Sequence, residues 1–429
     1  MRLGRIAKYS HRIVPSRSLS VCANGKQYKV PEPNRPVVGI CLDGSSQDYI
    51  DAAVEAGQMP CWIEISNRFK NHNKALGTAQ MPALTVPNNV GMMTGEAAKF
   101  HGIAGNSYFD EERKVEVVMD DEKYLRCDSI FSKLNEAGTH VTVLTVKDKL
   151  IRLLGTGLNP ATSMTLSLEG ANSANLLPAP RPLPEIDDPD ASIYLLELGL
   201  HAMQQRQKDP ALADTPAVYH LSTSDALQHQ YPPGSSEANA FYHKFDALLG
   251  NFDQAGALVG VTADHGMNDK SRYDGSPRVM FAGSVLREHG IACHILLPIA
   301  GGRQMLGSYA TVHLENKDQL VAALAVLREE PGVYQAIGRD DACLALQLPE
   351  DRVGDIVLLG DAHSVIGRTP EDHDLEGVRG LRSHGGLEEQ VVPMFFNREL
   401  LPAHKKQLGR GKARNYHLYD MLLNGVVAS

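Results

Sequence analysis

Five short apolar runs, spaced by segments of helical period, confine this chain to an α/β architecture. The run at 37–42 ends in Asp43-Gly44, and that at 140–146 ends in Lys147. The run at 217–221 leads into Ser222-Thr223-Ser224-Asp225, and that at 257–262 into Ala263-Asp264-His265-Gly266; a fifth covers 391–396. A strand that is apolar on both alternating faces needs helices on both sides, the environment of a parallel sheet. Segments of helical period fill the intervals, at 48–55, 128–137, 149–154, 190–207 and 237–252. The expected fold is α/β, with a mostly parallel sheet between helices.

The remaining stretches suggest how the 429 residues divide. After Asp264-His265 comes a block with its own elements at 309–313, 317–328 and 353–359. It reads as a smaller α+β subdomain inserted at 275–375, which leaves 19–274 and 376–429 as the core. Residues 160–190, rich in Pro, Ser, Leu and Asn, read as a surface loop between units. The first thirty residues hold seven Lys or Arg and no acid. Residues 1–18 are therefore read as a basic extension, with an organelle-targeting segment as the alternative and no apolar core for secretion.

Charge and composition remove several function classes. There are 42 basic against 51 acidic residues, so no net basic field draws nucleic acid. No apolar stretch is long enough to span a bilayer. The six cysteines are scattered without a CxxC pair, which fits reduced thiols in a cytoplasmic protein and excludes a sulfur-based zinc site. Any metal centre must use His and carboxylate.

In open α/β sheets ligands lie beyond the carboxyl ends of the strands. Asp43, Lys147, Asp225, Asp264 and His265 all end strands, so they gather on one edge. Asp225 and His229 are four apart at the start of a helix, with Ser224 as its expected N-cap, and so share a face. The late loop Arg382-Ser383-His384-Gly385-Gly386 adds another imidazole. Each piece alone fits an ordinary turn or surface pair. Together, three carboxylates and three imidazoles suffice for two zinc-type ions, a pair able to clamp both sides of a phosphoryl centre. Thr85 stands where a helix should begin, with Pro87 tolerated in the first turn. It is either a simple cap or a hydroxyl presented at a positive helix end. Asn106 follows a Gly-rich turn; its amide is either a donor to a phosphoryl oxygen or only part of the turn.

Several motifs, in this order, resemble the alkaline phosphatase superfamily. They are Ile40-Cys41-Leu42-Asp43-Gly44, Thr85-Val86-Pro87-Asn88-Asn89, His101-Gly102-Ile103 and Ser222-Thr223-Ser224-Asp225 through His229. Glu237-Ala238-Asn239-Ala240-Phe241-Tyr242, Thr262-Ala263-Asp264-His265-Gly266-Met267-Asn268 and Ser383-His384-Gly385-Gly386 complete the set. The resemblance runs from about Leu19 to the C terminus. It is nearest to the nucleotide pyrophosphatase/phosphodiesterase-like branch and, within it, to the phosphonoacetate hydrolases.

That resemblance implies two zinc ions per subunit. Asp225, His229 and His384 would hold one; Asp43, Asp264, His265 and the Thr85 hydroxyl would hold the other. It implies Thr85 as nucleophile, a phosphothreonine intermediate, and Asn106 against the phosphoryl oxygens. Lys147 and Lys149 match lysines associated with a substrate carboxylate, the alternative being a solvated pair that opens a helix. The implied reaction cleaves the C–P bond of phosphonoacetate to acetate and phosphate. The expected partner is a small anionic organophosphonate, with neither nucleic acid nor membrane, and a homodimer is the expected assembly. Phosphodiester or nucleotide pyrophosphate hydrolysis at the same metals is the competing reading, with Phe100 and Tyr108 as candidates for a base slot. A mutase would prefer a Ser nucleophile and a different insert. A non-enzymatic metal-binding protein would be expected to lack a ligand or the hydroxyl, and none is missing.

Overall fold

The computed structural model describes residues 19–171, 181–299 and 306–427. The basic extension at 1–18 and the middle of the Pro-rich segment, 172–180, lie outside the described residues. Seven strands form the central sheet: β1 (Val37–Cys41), β2 (Lys74–Thr78), β3 (His140–Thr145), β4 (Ser163–Ser167), β5 (Ala217–Ser222), β6 (Leu258–Thr262) and β7 (Val391–Phe396). Their order is β2-β7-β6-β1-β5-β3-β4. The strands β6, β1, β5, β3 and β4 are mutually parallel, and β7 pairs antiparallel with both β6 and β2.

Alternation along the strands separates two cores. Val38, Ile40 and Leu42 point to one face, where helices α1 (Gln47–Glu55), α2 (Pro60–Arg68), α7 (Asp190–Lys208) and α9 (Ser236–Gln254) pack. Val37 and Cys41 point to the other. There α3 (Thr85–Thr94), α5 (Ile130–Glu136), α6 (Asp148–Leu154) and the helix Leu418–Asn424 cover the sheet. Two short helices, α4 (Ala98–His101) and α8 (Ala226–Gln230), sit at the loops. The result is a three-layer α/β/α fold, as the paired-face apolar runs require.

One expectation changes here. The span 160–190 is not wholly a loop, because it contains the edge strand β4. An edge strand is covered less fully than a central one, and the partly exposed Ser-Met-Thr-Leu-Ser of β4 lacks a continuous apolar run.

A second, four-stranded antiparallel sheet has the order Cys293–Leu296, Tyr309–Leu314, Ile356–Gly360, Val333–Gly338. Helices Ala282–Glu288 and Leu320–Glu329 close one of its faces over Ala310, Val312, Ile356 and Leu358. Tyr309, Val357 and Leu359 on the opposite face pack with Met81, Ala83, Ala98 and Ala104. This lobe therefore buttresses the segment that leads into Thr85.

Candidate active site

The carboxyl edge of the central sheet collects the strand-ending acids. Asp43 follows β1, Asp225 follows β5, and Asp264-His265 follow β6. Asp43 N donates to Thr223 Oγ1 at 2.9 Å, and Gly44 N donates to Asp264 Oδ1 at 3.2 Å, so adjacent strand ends lock one another. Gly44 has φ +70°, and a Cβ there would stand 2.9 Å from Asp225 Cβ. Glycine is thus required for the turn and for the approach of the third acid.

Two groups of potential ligands result. Asp43, Asp264 and His265 are all buried, and the donor atoms of the three lie within 4.8 Å of one another; the same limit holds for Asp225, His229 and His384. The groups share a wall, because the rings of His265 and His384 stack with centroids 3.5 Å apart and planes at 5°. Asp225, not Ser224, is the N-cap residue of α8, and Ser224 Oγ accepts from Ala226 N at 3.3 Å.

The histidine hydrogen bonds decide which nitrogen faces inward. Nδ1 of His229 lies 2.8 Å from Arg382 O, that of His265 2.9 Å from Gly266 O, and that of His384 2.9 Å from Ala83 O. A carbonyl only accepts, so each Nδ1 carries the proton, and in the neutral ring each Nε2 offers a lone pair. Those Nε2 atoms face carboxylates: His229 to Asp225 at 3.0 Å, His384 to Asp225 at 3.7 Å, and His265 to Asp43 at 3.3 Å. Lone pair against lone pair is repulsive unless a cation stands between them. Asp43 Oδ1 and His229 Nε2 are indeed buried without a hydrogen bond. The donor set, all imidazole nitrogen and carboxylate oxygen, fits zinc-type ions.

Electrostatics show the same crowding. Burial, then the charges of Asp225 and Asp264, push the Asp43 carboxyl well above its usual range. Burial opposes charge on His265, but Asp264 and Asp43 outweigh it and raise that ring to about 10. Burial also works against the Asp225 carboxylate, yet the neighbouring imidazoles of His229, His384 and His265 hold it far below the ordinary value. Burial, followed by His265, depresses His384. Concentrated negative charge answered only by polarised imidazoles is what a cation would relieve.

Thr85 is the first residue of α3, whose N-cap is Leu84, so its hydroxyl is not spent on capping. Its Oγ1 lies 3.3 Å from His265 Nε2. Asn89, one turn on, donates to Thr85 O at 3.0 Å and to Asp264 Oδ2 at 3.4 Å, tying the helix to the ligand loop.

A cavity of about 580 Å³ opens over these groups. Asp43, Thr85, Asp225, His229 and His384 line it together with Asn106, Lys147 and Lys149. Lys147 is the N-cap residue of α6 and Lys149 lies in its first turn, so the pair starts a helix rather than sharing an extended segment. Both nevertheless reach the cavity, where Lys147 pairs with Asp187 at 3.0 Å. Phe100 is exposed, Tyr108 packs edge-on to Tyr124, and no Phe, Tyr or Trp lines the cavity among the described residues.

Sequence reasoning missed the support beneath the ligand loops. Lys270 and Glu389 form a fully buried ion pair of 2.8 Å. Glu389 Oε2 accepts from Gly386 N, its backbone oxygen accepts from Gly266 N, and Oε1 accepts from Asn268 Nδ2. One carboxylate thus fastens the His265 loop to the His384 loop. The partners are 119 residues apart, and nothing local in the sequence couples them.

The sequence model of the type I phosphodiesterase/nucleotide pyrophosphatase family matches residues 37–387, most of the chain. The chain belongs to that family. Two crystal structures of phosphonoacetate hydrolase from Sinorhizobium meliloti, one with phosphonoformate and one with phosphonoacetate, are each 35% identical to this family member. They superpose with a TM-score of 0.85 over 96% of this chain and 100% of theirs. Murine ectonucleotide pyrophosphatase/phosphodiesterase 5, at 16% identity, matches 92% of this chain and 96% of its own with a TM-score of 0.59, a likeness of fold. The family is one of hydrolases, and the fold is alkaline phosphatase-like. No helix among the described residues is long and apolar enough to cross a membrane.

Proposed function

We propose that this chain is a two-metal hydrolase that breaks the C–P bond of phosphonoacetate. The observation that carries the reading is the composition of one cavity: Asp43 of one ligand group, all three members of the other, Thr85 and two lysines line it, with no aromatic slot for a base among the described residues. The phosphonoacetate hydrolase whose fold it matches at 35% identity supports the same substrate class.

Asp225, His229 and His384 would hold one zinc-type ion, and Asp43, Asp264, His265 and Thr85 the other. Bound there, such ions supply neutralisation of phosphoryl oxygens and a lowered pKa for a ligated hydroxyl. Thr85 gives up its hydroxyl proton to solvent and its Oγ1 attacks phosphorus; the O–P bond forms as the P–C bond breaks. The electron pair passes to the methylene carbon and delocalises into the carboxylate as an enolate. Lys147 and Lys149 stabilise charge that develops there in the transition state, which is where stabilisation accelerates a reaction. Exchange of Lys147 from Asp187 to the substrate costs little, because Asp187 is almost fully exposed. The carbon then takes a proton and leaves as acetate. Asn106 donates to a phosphoryl oxygen. Water attacks the phosphothreonine, the Thr85 oxygen leaves and regains its proton, and phosphate is released.

The lobe within 275–375 would serve as a cap, since Pro298 O accepts from Asn106 N at 3.0 Å and Ile299 lines the cavity. Six free thiols suit a cytoplasmic setting, and the assembly in this reading is a homodimer. The test is phosphate release by zinc-loaded protein from phosphonoacetate against product release from a nitrophenyl phosphodiester. Phosphonoacetate should be turned over far more efficiently; the reverse order would make the protein a phosphodiesterase.

A further inference from the structure

The opposite, amino-terminal edge of the sheet carries a second cavity of about 500 Å³. Its floor is a row across three strands, because Thr142 stands in register with both Tyr219 and Met164. His140, two residues before Thr142, lies on the same face. The roof is the last two turns of α7, with His201, Ala202, Gln205 and Arg206, followed by Leu212. The catalytic cavity opens where these same strands end, so the two cavities sit at opposite poles of the sheet.

Arg206 is the unusual residue. It is half-buried, makes no hydrogen bond or ion pair among the described residues, and its Nε is buried without a partner. Asp209, the acid whose charge acts on it, also lines the cavity, but it is exposed, makes no ion pair with Arg206 and accepts from Ala211 N at 2.9 Å. His201 Nε2 is a second buried nitrogen with no partner. Lys208 adds another positive charge at the rim. The negative pole of α7 favours cations near its C terminus, but that does not satisfy the two orphaned nitrogens. An uncompensated guanidinium in a half-dry cavity is costly unless an anion completes it.

We propose that this cavity binds a small organic anion, its acid head on Arg206 and His201 and its apolar body against Met164, Leu212 and Tyr219. Carboxylate and phosphonate heads share this chemistry, and the size and apolar floor favour a body of about one ring over a bare inorganic ion. The inference does not depend on what the catalytic cavity hydrolyses.

Thermal unfolding of the full chain, with and without Arg206→Gln, tests it. The probes are benzoate, phenylphosphonate, inorganic phosphate and the neutral benzyl alcohol. Benzoate or phenylphosphonate should raise the wild-type Tm by a few degrees, on the order expected for saturation of one site. The anion whose rise differs more between wild type and Arg206→Gln identifies the head group. Arg206→Gln should lose that rise, and its ligand-free Tm should be no lower, because an uncompensated charge has gone. Binding of phenylphosphonate to the catalytic cavity is common to both proteins, so the difference between them reads this cavity alone. His201→Leu is a second variant expected to lose the same rise. The proposal is overturned if neither organic anion shifts the wild-type Tm, if both variants keep the shift, or if benzyl alcohol matches benzoate.

Discussion

Histidines at the carboxyl edge of the sheet and those sealed against α3 carry the same ring with opposite commitments. At the edge, His229, His265 and His384 each turn Nδ1 to a backbone carbonyl and leave Nε2 facing acid. Against α3, His101 accepts the Ile103 amide at Nδ1, so its proton sits on Nε2, which approaches Gln80 Oε1 at 3.3 Å. His220 is likewise enclosed, between Tyr419 Oη at 3.0 Å and Asn89 Oδ1 at 3.3 Å. Burial alone depresses His220 to about 3, and burial followed by Arg352 does the same to His101. What separates a candidate ligand from packing is therefore not burial but which nitrogen the backbone has claimed.

The contrast can be broken at several depths. If the edge is the reactive region, Thr85→Ala should lower kcat for phosphonoacetate by roughly 10⁴–10⁶-fold with an unchanged circular dichroism spectrum. Activity within tenfold of wild type would remove Thr85 as nucleophile. His265→Ala should cost more than about 100-fold in zinc affinity, since even outer partners of a ligand cost 10–100-fold. Titration with a chelating competitor checks this, and retained affinity would put the ion elsewhere. Neutralising Lys147 and Lys149 together should damage turnover of carboxylated phosphonates much more than that of simple esters; equal losses would make them structural.

Stability variants sharpen the comparison from the other side. Lys270→Met strands Glu389 as a buried charge and should destabilise the fold by about 3–5 kcal/mol in urea titrations. Lys270→Met combined with Glu389→Gln should recover much of that. His101→Leu should keep kcat and lose about 1–3 kcal/mol, because the Ile103 amide is left buried and unpaired. A smaller effect lies in its pH dependence. His101 and His220 have folded pKa values of about 3 against an ordinary 6.5, so between these pH values the unfolded chain binds more protons. Their contribution is complete above pH 6.5 and is lost as pH falls toward 3. His101→Leu should flatten the acid limb of stability against pH, and an unchanged slope would mean that the ring is already protonated in the fold.

Legibility in the sequence followed local punctuation. Asp43, Asp225 and Asp264 were readable because each is the first acid after an apolar run, where a buried strand must stop. Thr85 was readable because Pro87 three positions before Val90 permits only the first turn of a helix. The edge strands β2 and β4 were not, since partial exposure along them goes with the loss of the continuous apolar run that marks a covered strand. The antiparallel direction of β7 was equally hidden: its composition is that of a covered strand, and direction is set by tertiary pairing. Lys270, Glu389 and the carbonyls that orient the imidazoles belong to loops joined only in space.

The order of the donors along the chain bears on how the site matures during synthesis. Asp43, Asp264 and His265 all belong to the part of the chain made by residue 265, whereas Asp225 and His229 wait for His384. The last imidazole to emerge is the one that lies face to face on His265. Completion of the second group therefore also seals the first, and a nascent chain shorter than this carries one set of donors with an open side.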